Sequence, residues 1–299
     1  LTPVQGYSLW PPSGNSSYTF SGTPNTGEQS IEINYTGGTT DFDGANLVGN
    51  PYPSYIDWSV ASSSDTYGYY GSKYTWNGSA YEAYTAVGGY GTGSQYVEPM
   101  EGFFIVVNTD NTFSIDNSAR CHAPESTTAK SGEKTNLENG LILFGSNGNY
   151  EDELWLVFND QASENFELQR DAWKLLSPTE GLSQLWSVSL DGKLSIDVRP
   201  ATQSIQLGFT NNQPGIYSIG IKEIANIPDV YLEDTKTGTF HDLTQSAYEF
   251  AWETTDSESR FHLHLKVIDD INDEASDLIA YLRIKDISTN GIIQSQKGE

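Results

Sequence analysis

The chain has 299 residues, only 36% of them hydrophobic, and a formal net charge of −25. So acidic a surface repels phosphate backbones and excludes nucleic acid as a partner, and no apolar run approaches the roughly 18 residues of a membrane-spanning helix. A single cysteine, Cys121, leaves no internal disulfide, while 28 glycines and 18 tyrosines suit many short strands joined by turns rather than helices.

Leu1 opens directly on strand-like sequence with no signal-peptide pattern, which reads as a piece of something longer. Residues 30–35 (SIEINY) alternate with period two, as a half-buried strand does. At 41–46 (DFDGAN), Asp41, Asp43 and Asn46 place oxygen ligands around a glycine, a pattern that suits Ca²⁺. The loop lacks the third ligand and the distant glutamate of a complete EF-hand, and clustered Asx and Gly are also ordinary turn chemistry. Residues 147–153 and 269–277 are two further oxygen-rich loops.

Residues 46–58 (NLVGNPYPSYIDW) combine Asn46, Gly49, Asn50, Pro51, Pro53 and Trp58. The two prolines hold Asn50 and Tyr52 out of the helical region, so the segment is extended and stiff. Ile56 and Trp58 then fall on one side and are expected to point into the core. From 67 to 96 the chain is aromatic and glycine-rich; 13 of the 18 tyrosines precede residue 97. Flat aromatics beside amides and carboxylates suit sugar stacking, with Tyr67, Tyr69, Tyr70, Trp76 and Tyr90 as candidates. The alternative is that these rings fill a core poor in aliphatics. Asn77-Gly78 is a hairpin signal, and residues 102–107 (GFFIVV) read as a buried strand.

Residues 123–136 lack aromatics and periodicity and serve as a linker. Beyond them, 154–158 (LWLVF) is a buried strand, and 185–198 is a strand, an Asp191-Gly192 turn and a second strand. Short strands follow at even spacing at 204–209, 216–221 and 230–233.

Few constellations suggest chemistry. His262 and His264 share one face of a strand and could bind zinc or copper with a third ligand, for which His241 is the remaining histidine to consider. The plainer reading puts both histidines toward water while Phe261, Leu263 and Leu265 face the core. Cys121 and His122 are adjacent on a strand and so point to opposite faces, a poor nucleophile-base pair. Carboxylates are too numerous for any glycosidase pair to be informative, and neither GxSxG nor HExxH occurs.

Several of these segments carry a resemblance. NLVGNPYPSYIDW (46–58), YTWNGSAYEAY (74–84), YVEPMEGFFIVV (96–107), FSIDNSARCH (113–122) and the block YLEDTKTGTF…RFHLHL (231–265) resemble, in order, the C-terminal β-rich regions of Bacteroidetes proteins exported by type IX secretion. Met100-Glu101 stands where that group often has Gly-Gln. The resemblance implies an extracellular or outer-membrane surface location and motifs that build architecture rather than catalyse.

The expectation is an all-β chain of two sandwich-like (jelly-roll or Ig-like) antiparallel domains plus a short C-terminal tail. Residues 1–125 form a β-rich aromatic domain, 126–136 a linker, 137–266 a β-sandwich, and 267–299 an acidic linker with the truncated start of a sorting-type domain. The expected function is that of a non-catalytic adhesive or structural module, with carbohydrate binding beside a secreted polysaccharide-degrading enzyme as the alternative. Expected partners are glycans or other surface proteins; Ca²⁺ is the one cofactor considered.

Overall fold

The structure is a computed structural model that describes residues 1–8, 19, 21–37, 43–63, 71–124 and 137–266. It is mostly β. In the first part the elements are β1 (Gln29–Ile33), β2 (Ala45–Gly49), β3 (Tyr55–Asp57), the short helix α1 (Trp58–Ser63), β4 (Ser72–Trp76), β5 (Tyr81–Thr85), β6 (Tyr96–Val97), β7 (Gly102–Val106), β8 (Asn111–Ile115) and β9 (Arg120–Cys121). They form three small antiparallel sheets: β1-β8, β2-β7-β4-β5 and β6-β3-β9. Val48, Tyr52, Ile56, Trp58, Phe103, Ile105 and Phe113 fill the core among them.

The second part holds β10 (Gly140–Ser146), β11 (Glu151–Phe158), β12 (Ala172–Trp173), β13 (Gln184–Val188), β14 (Lys193–Arg199), β15 (Ser204–Thr210), β16 (Gly215–Ala225), β17 (Val230–Asp234), β18 (Thr239–Asp242), β19 (Tyr248–Trp252) and β20 (Phe261–Leu265). The expected sandwich of two facing sheets is instead one continuous sheet. Its order is β18-β17-β20-β15-β13-β14-β11-β10-β16-β19, with β12 beside β14, and it curls into a nearly closed barrel. Curling lets most of the strands turn alternate apolar residues inward: Leu141, Leu154, Leu185, Leu207, Ile219, Leu232, Phe250 and Leu263 meet in one cluster. All pairings in this sheet are antiparallel except β11-β14, which runs parallel with Trp155 opposite Ile196.

The other face of β10, β11 and β14 is apolar too. Ile142, Trp155, Val157, Ile196 and Val198 project outward and pack with Tyr74 and Ala83 of the first part, with Tyr81, Tyr90 and Phe104 at the margin. Strands buried on both faces lose the clean alternation of a solvent-facing sheet, which explains the unbroken apolar run at 154–158. Polar bonds fasten the same contact. Tyr74 Oη accepts the Trp173 N–H at 2.8 Å, and Ser72 Oγ donates to the Asp171 carbonyl at 2.5 Å. Gly71 is obligatory there: a Cβ would lie 1.4 Å from the Leu168 carbonyl oxygen.

Both predicted hairpins form, with longer turns than a two-residue connection. Trp76 pairs with Tyr81 and Val188 with Lys193, so each loop has four residues. At the first, Asn77 Oδ1 accepts the Ser79 and Ala80 N–H groups, an Asx turn that competes with the type I′ geometry.

Residues 98–101 (EPME) form a type II-like turn, with Pro99 second, the Glu101 N–H donating to the Glu98 carbonyl at 3.1 Å, and Met100 third at φ +67°. That position favours glycine, and glycine is what the resembled proteins often carry. Met100 is 60% exposed, so its side chain gains little packing in return. Met100→Gly is expected to raise stability by about 1 kcal/mol. Denaturant titration checks this, and a loss of stability would refute it.

Candidate functional site

The 46–58 motif works as a staple. Asn50, 5% exposed, donates from Nδ2 to the carbonyls of Ser54 (2.8 Å), Val97 (3.2 Å) and Glu98 (3.0 Å), while its Oδ1 accepts the Tyr52 N–H. Tyr52 Oη donates to Gly27 O at 2.7 Å, with Ile115 O at 2.8 Å. One short segment thus ties together the three small sheets. The Pro51 carbonyl accepts from Asn25, and Pro53 lies at the surface. The Gly49 N–H donates to Val4. Ile56 and Trp58 are both fully buried, although Trp58 opens helix α1 rather than continuing β3. Asp57 makes that switch, its Oδ1 accepting the Ser59 N–H at 3.0 Å as a helix cap.

Of the calcium candidates, Asp41 lies outside the described residues. Asn46 has its Oδ1 on the Asn34 N–H (3.0 Å) and its Nδ2 on the Asn34 and Gly44 carbonyls, which joins β1 to β2. Asp43 is partly buried and also has a partner. In the 147–153 loop, Asn147 caps its own turn, Asp152 is paired with Lys174, and Glu151 and Glu153 hold Lys222. The 269–277 loop is outside the described residues. Among the described residues no group of three or more His, Cys, Asp or Glu side chains is preset around a metal.

Of the aromatic candidates, Tyr67, Tyr69 and Tyr70 lie outside the described residues. The other two are not alike. Trp76 is 43% exposed at the β4-β5 hairpin, its ring edge-on to Tyr81 at 4.9 Å. Tyr90 is half-buried against Trp155 at 6.3 Å, within the layer between the two parts. Hydroxyls of Ser177 and Thr179 anchor the hairpin through the Ser79 carbonyl. Trp76 therefore offers a firmly held ring face and Tyr90 does not. For Cys121, burial and then the Asp57 charge push the thiol up, away from the thiolate.

Two buried ionic groups escape a sequence reading. Asp234 and Arg260, inside the 231–265 block, form a bidentate pair: Nη2 to Oδ2 at 2.6 Å and Nε to Oδ1 at 2.8 Å. Their side chains are 0% and 3% exposed. Burial alone would push the Asp234 carboxyl up, but hydrogen bonds from Arg260 and Tyr248 outweigh it and hold it below its ordinary 3.8. Asp171 has no such cation. Burial, with the Asp197 and Glu167 charges adding, pushes it up to about 7, against the backbone N–H groups of Glu167 and Val198 that it accepts.

The folded state thus favours protonated Asp171, and between about pH 4 and pH 7 it binds more protons than the unfolded chain. The stability of the wild type relative to Asp171→Asn is expected to fall as pH rises through that window and to level off above it. Parallel melts of the two proteins check this; a difference that stays flat across the window would refute it.

With this geometry in hand, comparison with known families gives a match: a family described as a domain of unknown function (DUF8693) fits residues 4–265. The chain belongs to that family. In this chain the matched stretch spans both parts and the segment between them, and includes the 46–58 staple and the Asp234–Arg260 pair. No curated protein and no solved structure matches the chain.

Proposed function

We propose that this chain is a non-catalytic module, adhesive or structural, of a protein displayed outside the cell through the type IX route. One observation carries the reading: the polar groups of its motifs are directed inward. Asn46, Asn50, Tyr52, Asp234 and Arg260 all bond within the chain. A motif that consumes its own donors and acceptors holds a shape and presents no chemistry to a substrate. Intact cells that make the parent protein are expected to yield it to a membrane-impermeant biotinylating reagent. Labelling only after lysis would overturn the surface location.

A second reading is favoured by Trp76, whose exposed, braced ring suits the apolar face of a sugar. In that case a glycan screen gives a hit that Trp76→Ala abolishes without changing the melt. A screen with no hits leaves the structural module in front.

A further inference from the structure

We propose that Asn77, at the tip of the β4-β5 hairpin, is a self-modifying site, where the Gly78 backbone nitrogen attacks the side-chain amide and converts the asparagine to aspartate or isoaspartate. Four Asn-Gly pairs occur in the sequence, at 77, 139, 147 and 290, and the last lies outside the described residues. The fold treats the other three differently. Asn77 Oδ1 accepts three hydrogen bonds, from the Ser79 N–H at 2.9 Å, the Ala80 N–H at 2.9 Å and the Ser79 hydroxyl at 3.0 Å. The bond to the Ser79 N–H closes a ring that runs from Oδ1 through Cγ and the Gly78 nitrogen, and so holds both reacting atoms in one turn. All three donors aim at the oxygen on which negative charge builds when nitrogen adds to Cγ, the arrangement of an oxyanion hole. Ser177 and Thr179 brace that turn through the Ser79 carbonyl. Among the described residues the Gly78 N–H has no hydrogen-bond acceptor, and even a Cβ on Gly78 would meet nothing within 4 Å.

In the reaction a bond forms between the Gly78 nitrogen and Cγ, the Cγ–Nδ2 bond breaks, and the proton lost from the Gly78 N–H departs with Nδ2 as ammonia. Glu82 Oε1, 3.0 Å from Nδ2, lies within reach to relay that proton. Solvent water then opens the cyclic imide, at Cγ to give aspartate or at the main-chain carbonyl to give isoaspartate. Either product adds a negative charge to the turn and removes the bond from Nδ2 to Glu82, at the tip that carries Trp76. The other described pairs lack these features. The Gly148 N–H is engaged by Ser146 Oγ at 3.0 Å, and Asn147 Nδ2 donates to the Gly181 carbonyl, which cannot relay a proton. Gly140 is buried in β10, between β11 and β16.

Peptide mapping by mass spectrometry tests the site, with the intact folded protein held at mildly alkaline pH, where the Gly78 amide proton is more readily lost. Fragmentation assigns each conversion to its asparagine, and position 290 is read separately. Position 77 is expected to convert about tenfold or more faster than 139 or 147, and the three are expected to converge in urea, because the advantage belongs to the folded turn. Ser79→Ala removes only the hydroxyl donor. It is expected to slow conversion at 77 by about tenfold in the folded protein, the scale of one hydrogen bond to a developing charge, and to change nothing in urea. Conversion at 139 or 147 that matches position 77 in the folded protein overturns the proposal. So does a lead for position 77 that persists in full in urea, or a folded-state rate that Ser79→Ala leaves unaltered.

Discussion

Asp234→Ala is expected to destabilise the protein by about 3–5 kcal/mol, because it leaves the Arg260 guanidinium buried without its carboxylate. That guanidinium lies 5.1 Å over the rings of both Phe250 and Phe261 and donates from Nη1 to the Ala251 carbonyl. It therefore cannot swing into water without disturbing the packing of Phe250 on β19 and Phe261 on β20. Asp256, at 2.9 Å from Nη1, gives only partial compensation. The cost belongs to the broken pair and not to the pair as such. Replacing both partners together, with Asp234→Leu and Arg260→Met, is expected to recover much of the loss. The acid side supplies a second signature. The folded carboxyl titrates below the unfolded one, so its contribution is complete above the unfolded value and is lost as pH falls through the folded value. The gap between wild type and Asp234→Ala should close in acid. Urea titrations at neutral and acid pH read both effects; a loss below about 1 kcal/mol at neutral pH would sink this account.

Trp58→Ala is expected to cost a comparable amount, about 3–5 kcal/mol, through the cavity left by a fully buried indole. The ring packs edge-on to Phe103 at 5.2 Å and near-parallel to Phe113 at 6.4 Å. Those two residues belong to β7 and β8, which lie in different sheets, so the indole joins sheets that share no ladder. Little can collapse into the space, since Asn50 and Tyr52 fix the neighbouring backbone. The melting temperature should fall by on the order of 10 °C. A shift under about 2 °C would mean that the motif is not architectural and would move the sugar-binding reading to the front.

The sequence was most legible where strands are locally patterned. Period-two alternation at 261–265 located β20 and its inward residues, and Asn and Asp followed by Gly located both hairpins, though not their length. The closure of the barrel was not legible. It depends on β14 lying parallel to β11 across some 35 residues of intervening chain, and no local pattern encodes that register. The outward apolar face of β10, β11 and β14 was hidden for a related reason, since an unbroken apolar run fits any strand buried on two sides. Asp171 sits among Arg170, Ala172 and Trp173 with nothing in its neighbours to mark it, because its shift arises from burial against distant strands. The pair His262 and His264 was visible on one face of a strand, and only the pairing of β17 with β20 sets Glu233 against His264.

The apolar layer between the two parts bears on how the protein is made. Tyr74, Tyr81 and Phe104 leave the ribosome well before Ile196 and Val198, the residues that cover them. At the usual pace of synthesis the interval is roughly 5–20 s, long compared with the collapse of a small β unit. During that interval the nascent first part carries a sticky, aromatic face, open to chaperones and to its own copies. Truncated products ending before β14 are thus the forms to watch for aggregation, and holdase binding should drop as the chain extends past residue 198.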